Sequence, residues 1–230
     1  EQILVSSKLV VTETKPAVEV SGMTSLGSDY VSHLGLPFYS DDIFPHYPDF
    51  EHDVKPVLDL LERVRPTTVS LALDPEGSGP DTHFKTLIAL SMAIDKYHEL
   101  HPDIDLHVWG YRNVWSRYHI SDVNTLIPTS MNSFAVIKSM FDTCYLSQRS
   151  ADFPSYEYDG PFSELAQKVW VEQHGDICRM LGEDFFYRSE SMMMQRAYGM
   201  IYLKDMTYDE FHNYMIPVKR LLETKDAMQK

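Results

Sequence analysis

The sequence predicts an α/β protein with a mostly parallel sheet flanked by helices. Apolar and β-branched residues fill a strand over 67–73, a second strand follows over 104–109, and a long amphipathic segment separates them. Strand, loop, helix and strand in this order are typical of a parallel sheet, because the helical crossover brings the chain back to start the next strand at the same end. A third short strand over 125–128 fits the same architecture.

The other segments follow from spacing and from proline. Residues 3–11 are rich in β-branched side chains and predict a strand, whereas three prolines among the aromatic residues of 36–50 exclude a helix. Apolar residues at helical spacing predict a helix over 53–65, which ends before Pro66 because the residue preceding proline avoids the α conformation. Further helices are predicted from Asp81 or Thr82 to Leu100, and over 132–146, 161–181 and 208–222.

Length and composition favour one folded domain over residues 1–230. The chain has 230 residues, of which 43% are hydrophobic and 23% charged, as in packed globular proteins. We expect the last part, about 190–230, to form a helical C-terminal extension, so the predicted fold has a helix-rich C-terminal part.

The acidic charge of the chain disfavours one class of partner, the nucleic acids. There are 34 acidic and 20 basic side chains, which gives a net charge of −14, and this disfavours a nucleic-acid partner because phosphate backbones are held by clusters of Lys and Arg. No apolar run is long enough to span a bilayer. Cys144 and Cys178 are too few for a disulfide framework, so we expect a cytoplasmic location.

The loop after the first of these strands carries the residues best suited to chemistry. Residues 74–83 read Asp-Pro-Glu-Gly-Ser-Gly-Pro-Asp-Thr-His, with Asp74 at the end of the strand and His83 in the first turn of the next helix. A carboxylate and a neutral imidazole at the carboxyl end of a strand suit zinc binding or proton transfer, and we predict catalytic roles for both. The alternative is a capped helix preceded by a Gly-Pro turn.

The second strand is followed by side chains that suit a sugar. Tyr111, Arg112 and Trp115 combine aromatic faces with a guanidinium, a set that can bind a sugar or a sugar phosphate. We predict that they bind substrate. The alternative is that the tryptophans of this segment lie in the core and that Arg112 pairs with a surface carboxylate.

Three ordered segments resemble the PIG-L/LmbE-like N-deacetylases. Residues 74–83 are similar to the second metal motif of that family. Residues 33–39 (His-Leu-Gly-Leu-Pro-Phe-Tyr) and 109–115 (Trp-Gly-Tyr-Arg-Asn-Val-Trp) resemble segments of one subgroup, as does Ser-Gln at 147–148. That subgroup is the deacetylase-like domain fused C-terminal to a glucosamine-6-phosphate isomerase (deaminase) domain, and the resemblance spans about residues 30–190.

The resemblance implies a Rossmann-like sheet and zinc-dependent hydrolysis of an N-acetyl amino sugar, with His83 as a metal ligand and an isomerase domain as partner. In that family a His-Pro-Asp-Asp motif after the first strand supplies the remaining ligands and the general base. This sequence contains no such motif, and its His-Pro-Asp at 101–103 precedes a strand instead of following one. We therefore expect an amino sugar or sugar phosphate as ligand, but little or no deacetylase activity.

Two further interpretations stay open at this point. In the first interpretation the chain is non-catalytic, and it serves as a sugar-phosphate sensor or as an assembly module for an attached isomerase domain. Both roles are compatible with an incomplete metal motif. The other interpretation is an unrelated Rossmann-like protein whose loop matches the family by chance.

Overall fold

The computed structural model describes residues 34–38, 47–79, 81–113, 116–145 and 158–228, with side chains described up to Arg220. The helices in these ranges are α1 (Lys55–Val64), α2 (Asp81–Leu100), α3 (Met131–Thr143), α4 (Phe162–Leu181), α5 (Asp184–Tyr187), α6 (Met192–Gln195) and α7 (Tyr208–Met228). The strands are β1 (Thr68–Ala72), β2 (His107–Tyr111), β3 (Thr125–Thr129) and β4 (Gly199–Thr207).

The described residues divide into two compact units. The first contains residues 34–117 and 204–228, and the second contains residues 118–203. The boundary falls within β4, between Leu203 and Lys204. The predicted α/β class is confirmed by these strands and the helices around them.

In the first unit, β1 and β2 pair in parallel, from Thr68 opposite His107 to Ala72 opposite Tyr111. Helix α2 forms the crossover between them, as the sequence predicts. The last residues of β4 then pair antiparallel with β2, so the sheet is mixed. Because β1 and β2 run in the same direction, the loops that follow them begin at the same edge of the sheet.

Helices α1 and α2 bury their apolar faces in this unit. On α1, Val57, Leu58 and Leu61 recur at helical spacing and are buried. The helix ends at Arg65, whose left-handed backbone (φ 52°) lets its amide donate to the Leu61 carbonyl at 2.8 Å, and Pro66 follows. Burial of each such aliphatic side chain stabilises the fold by about 1.5–3 kcal/mol.

In the second unit, β3 pairs antiparallel with the first half of β4, from Thr125 opposite Leu203 to Thr129 opposite Gly199. Helix α3 begins after Ser130, whose side chain accepts a hydrogen bond from the Ser133 amide and so caps the helix. Helix α4 ends at Gly182, which adopts a positive φ of 83°. Helices α3 and α4 pack against each other.

The C-terminal part is helix-rich, as predicted, but the sequence prediction missed β4. Residues 199–207 form a nine-residue strand within the segment expected to be a helical extension. The strand predicted over 3–11 lies outside the described residues. Within the described ranges, no helix combines the length and apolarity that crossing a membrane requires.

Candidate functional site

The candidate site lies where β1 and β2 end in the first unit. Beyond the last residue of β1, the Leu73 amide donates to the Tyr111 carbonyl at 2.8 Å. This hydrogen bond keeps the ends of β1 and β2 together up to the start of both loops. Asp74 therefore begins its loop beside the residues that follow Tyr111. The loop then turns at Gly77, whose amide donates to the Asp74 carbonyl at 3.1 Å and whose φ is +63°.

Both carboxylate oxygens of Asp74 accept hydrogen bonds from the loop and its neighbour. Ser78 donates to Oδ1 from its amide at 3.1 Å and from its hydroxyl at 2.6 Å. The Gly79 amide donates to Oδ2 at 2.8 Å, and Asn113 Nδ2 donates to the same oxygen at 3.0 Å. Asp74 is buried, so these four bonds satisfy a charge that would otherwise be costly to remove from water.

These contacts set the ionisation of Asp74. Burial is the largest single effect on the pKa of Asp74, and it raises the pKa. The hydrogen bonds from Ser78 and Gly79 and the charge of Arg112 lower it, and together they outweigh burial. The pKa of Asp74 is therefore lowered, and the carboxylate stays ionised in the folded protein. A low pKa and a filled hydrogen-bond shell make Asp74 a poor proton acceptor near neutral pH.

Arg112 is held by two carboxylates of the same loop. Its two terminal nitrogens bind Glu76 in a bidentate pair, with Nη2 donating to Oε1 at 3.1 Å and Nη1 to Oε2. Nη1 also lies 3.6 Å from Asp74 Oδ1. The guanidinium hydrogen bond lowers the pKa of Glu76. The sequence leaves open whether Arg112 binds substrate or pairs with a carboxylate, and the structure shows the carboxylate pair.

His83 lies in the first turn of α2 and faces the same loop. A Cβ atom added to Gly79 would lie 3.4 Å from His83 Nδ1, 3.3 Å from Asp74 Oδ2 and 2.8 Å from Asn113 Nδ2. The open side of Gly79 thus faces the imidazole, the carboxylate and the Asn113 amide. Nδ1 is buried and has no hydrogen-bond partner among the described residues. Burial lowers the pKa of His83, and the Asp74 charge opposes that shift in part.

The remaining predicted site residues differ in how they are placed. Tyr111, the last residue of β2, is 42% exposed as a residue, whereas burial around its hydroxyl raises the pKa of the phenol. Trp115 lies outside the described residues. Asp74, His83 and Arg112 are thus brought together around one loop with Tyr111 at its edge, and their predicted catalytic and substrate-binding roles stay predictions.

The described residues do not fit a zinc ion. No three His, Cys, Asp or Glu side chains in these ranges lie close enough together to hold a metal. Catalytic zinc sites use about three protein ligands, whereas this loop offers one imidazole and a carboxylate whose oxygens already accept four hydrogen bonds. The His-Pro-Asp of residues 101–103 adds nothing to this set within the described part of the chain.

Sequence reasoning missed three contributors to the site, which are Glu76, Ser78 and Asn113. The signal for Asn113 was available, because it follows β2 and the ends of neighbouring parallel strands lie side by side. The signal for Ser78 was weaker. A serine four residues after an aspartate in a Gly-rich turn can bond to it, but the turn must first fold back on the strand end.

Comparison with known proteins gives one distant relative. The chain is 30% identical over 115 residues to a glucosamine-6-phosphate deaminase-like protein of Bacteroides thetaiotaomicron. The matched segment covers 48% of this chain and 17% of that protein, so this chain corresponds to a small share of the relative's length. No family model and no solved structure matches this chain.

Proposed function

We propose that this chain is a deacetylase-like domain of an amino-sugar metabolism protein that binds an amino sugar without hydrolysing it. Two lines of support combine here. The motifs over 33–39, 74–83 and 109–115 resemble those of deacetylase-like domains, and the distant relative is named for an amino-sugar phosphate. The geometry of the loop supports the non-hydrolytic part of the proposal.

The observation that carries the proposal is the hydrogen bonding of Asp74. A metal-activated hydrolysis needs a bound water with a lowered pKa and a base to accept its proton. Asp74 is ionised but already accepts four hydrogen bonds, so it neither reaches out to a metal nor takes a proton readily. The carboxylate instead holds the loop in a fixed shape beside Tyr111.

The edge of this loop suits a sugar that carries an amine. The exposed Tyr111 ring offers an apolar face to a pyranose, and the Glu76 carboxylate, which is largely exposed, accepts from hydroxyl or ammonium groups. Asp74 and Glu76 together outnumber the Arg112 charge, so the loop is net negative. That sign favours the ammonium of glucosamine over an acetamide.

Calorimetric titration tests the binding part of the proposal. We expect glucosamine to bind more tightly than N-acetylglucosamine, and Tyr111→Ala to weaken binding by about tenfold. Glucosamine 6-phosphate should bind more weakly than glucosamine, because the net negative loop repels its phosphate. Tyr187→Ala is the matched control, because this tyrosine is also exposed but lies in the second unit. If the wild-type protein ignores all three sugars, the proposed binding function is wrong.

An acetate-release assay tests the non-hydrolytic part separately. With N-acetylglucosamine or its 6-phosphate and added zinc, we expect no turnover above the buffer rate. Turnover that His83→Ala abolishes would show an active zinc hydrolase and overturn this part of the proposal, whatever the binding data show.

Exposed apolar side chains favour a second candidate function, an assembly surface for an attached isomerase domain. They lie at the end of α4 and on the two short helices that follow, at Met180, Leu181, Phe185, Tyr187, Met192 and Met193. Contiguous exposed apolar surface is typical of interaction sites. Sedimentation velocity tests this candidate: self-association that Tyr187→Ser and Met193→Ser reduce would support an assembly role, and a monomer at all concentrations would count against it.

A further inference from the structure

Methionine side chains are concentrated on one exposed apolar surface of the second unit. Met180 lies in the last turn of α4, and Met192 and Met193 are the first two residues of α6. Their exposed fractions are 56%, 54% and 65%. Three further exposed apolar residues lie between them in sequence. We define the methionine patch as Met180, Leu181, Phe185, Tyr187, Met192 and Met193.

The three helices that carry the methionine patch pack against one another in chain order. Helix α4 contacts α5, and α5 contacts α6. Phe186 anchors α5, because its buried ring lies on His174 of α4 with ring centroids 4.3 Å apart. Its exposed neighbour Phe185 packs edge-on against Phe186, with ring centroids 5.4 Å apart. The patch is therefore presented to solvent from a packed support.

Four methionines of the core contrast with those of the patch. Met140, Met200, Met206 and Met215 are at most 6% exposed. Oxidation of a thioether requires contact between its sulfur and an oxidant in solvent, so burial protects these four side chains. The patch methionines lack this protection. The chain therefore carries a reactive and a protected class of methionine, which can be compared within one molecule.

Met131 separates the effect of exposure from the effect of position. It is 58% exposed, like the patch methionines, but it is the first residue of α3. It lines the open depression between α3 and α4, which Met180, Met192 and Met193 do not line. Oxidation of Met131 therefore reports on exposure alone, whereas oxidation of the other three changes the methionine patch.

The cysteine nearest to the patch in sequence is a weak competitor for an oxidant. Cys178 precedes Met180 by two residues, and its Sγ lies 3.7 Å from His174 Nδ1. Partial burial and the charge of Glu183 raise the pKa of the Cys178 thiol. Because the thiolate is the reactive form, a raised thiol pKa slows its oxidation. The thioethers do not need to ionise, so they are the oxidisable groups of this surface.

Oxygen transfer from a peroxide changes the polarity of a methionine without breaking the chain. The sulfur attacks one oxygen of hydrogen peroxide, an S–O bond forms as the O–O bond breaks, and the released hydroxide takes the proton of the transferred oxygen and leaves as water. The sulfur is oxidised and the peroxide is reduced. A sulfoxide is polar, so burying it in an apolar contact costs free energy unless it gains a hydrogen bond. A methionine sulfoxide reductase removes the oxygen as water, with a dithiol as the reductant.

We propose that Met180, Met192 and Met193 form a reversible oxidation switch, with a peroxide as the oxidant and a methionine sulfoxide reductase as the enzyme that reverses it. In the thioether form the methionine patch offers apolar area to a second protein surface, and in the sulfoxide form it loses that property. Leucine would supply a similar area without an oxidisable atom, so the thioethers make this surface switchable. The effect on association rests on the assembly role proposed above for the same side chains.

Peptide mapping by mass spectrometry after limited peroxide treatment tests the selectivity of oxidation. We expect Met131 and the three patch methionines to oxidise at least about tenfold faster than the four core methionines. Hydrophobic-interaction chromatography then measures the patch, because retention of the wild type should fall after oxidation and recover with methionine sulfoxide reductase. The triple variant with Met180→Leu, Met192→Leu and Met193→Leu should lose little retention. Met131→Leu is the matched control and should behave like the wild type.

Sedimentation velocity extends the test to association. Oxidation is expected to weaken self-association about tenfold in the wild type and in Met131→Leu, and to leave the triple variant unchanged. Equal oxidation rates for core and patch methionines, or equal loss of retention in the triple variant and the wild type, would overturn the switch. Association that survives oxidation would also overturn it, while leaving the assembly surface intact. A monomer before oxidation refutes the assembly role, and the retention data then decide the switch alone.

Discussion

At the scale of single residues, Asp74 organises the candidate site. The sequence placed it correctly at the end of β1, but it could not show that the carboxylate turns back onto its own loop. That orientation depends on Ser78, Gly79 and Asn113, and the last of these comes from 39 residues further along the chain. A spacing pattern records which groups are available, whereas the direction of a carboxylate depends on long-range contacts.

Loss of the Asp74 charge should destabilise the protein. Asp74→Asn places an amide where the Ser78 and Gly79 donors converge, and we expect a loss of about 2–3 kcal/mol of unfolding free energy in urea titrations at pH 7. Glu76→Gln, which alters an exposed ion pair, should cost less than about 1 kcal/mol. Equal costs for the two variants would contradict the organising role of Asp74.

The difference in unfolding free energy between the wild type and Asp74→Asn should depend on pH. The folded pKa of Asp74 is lowered, so its stabilisation is complete above the unfolded pKa and is lost as pH falls through the folded value. The gap between wild type and Asp74→Asn should therefore shrink in acid, below about pH 4. A gap that stays constant down to the acid transition would show that ionisation of Asp74 does not contribute.

At the scale of elements, β4 is the strand that the sequence pattern does not predict. Its burial does not alternate regularly, because its first five positions are all buried or partly buried and carry no charged side chain, and Lys204 and Asp205 then interrupt the apolar run. The pattern therefore has no strand period, and the sequence predicts a helical extension over this segment. The helices α1, α2, α4 and α7 were predicted well because their apolar positions recur at helical spacing.

The pairing of β2 with β4 should carry a pH signature through His107. The Asp205 carboxylate lies 2.7 Å from His107 Nδ1, and this hydrogen bond raises the pKa of the imidazole. A raised folded pKa means that the stabilisation is complete below the unfolded pKa and is lost as pH rises through the folded value. We expect a loss of about 0.5 kcal/mol from pH 6 to pH 8 in urea titrations, since the pair is partly exposed.

Asp205→Asn should abolish that pH dependence. Asp105→Asn is the matched control, because Asp105 faces the same imidazole from 3.9 Å and is 93% exposed, against 30% for Asp205. The Asp105→Asn variant should retain most of the wild-type change in unfolding free energy between pH 6 and pH 8. If both variants behave alike, the cross-strand pair is not the source of the effect.

At the scale of the whole molecule, the sequence predicted the α/β class and the parallel β1–β2 pair, since both depend on local patterns and on a common crossover rule. The division into two compact units was not predicted, because it depends on which residues contact each other and not on composition.

Net charge is a property of the whole chain, and it should govern solubility. The sequence has an isoelectric point near 5.0 and a net charge of −14 at pH 7. Light scattering should therefore show the greatest association near pH 5 and little at pH 8, because mutual repulsion vanishes at the isoelectric point. Added salt should raise association at pH 8, and insensitivity to both pH and salt would contradict a charge-controlled solubility.

The tight fit around Gly79 has a consequence for protein engineering. Grafting one imidazole and two carboxylates beside this loop would not by itself create a hydrolytic centre, since Asp74 would still be bound to Ser78 and Asn113. A designer would also have to replace the donors at positions 78 and 113, and would have to leave position 79 without a side chain. Directed evolution aimed at metal-dependent turnover should thus vary positions 78 and 113 first and keep the glycine at position 79.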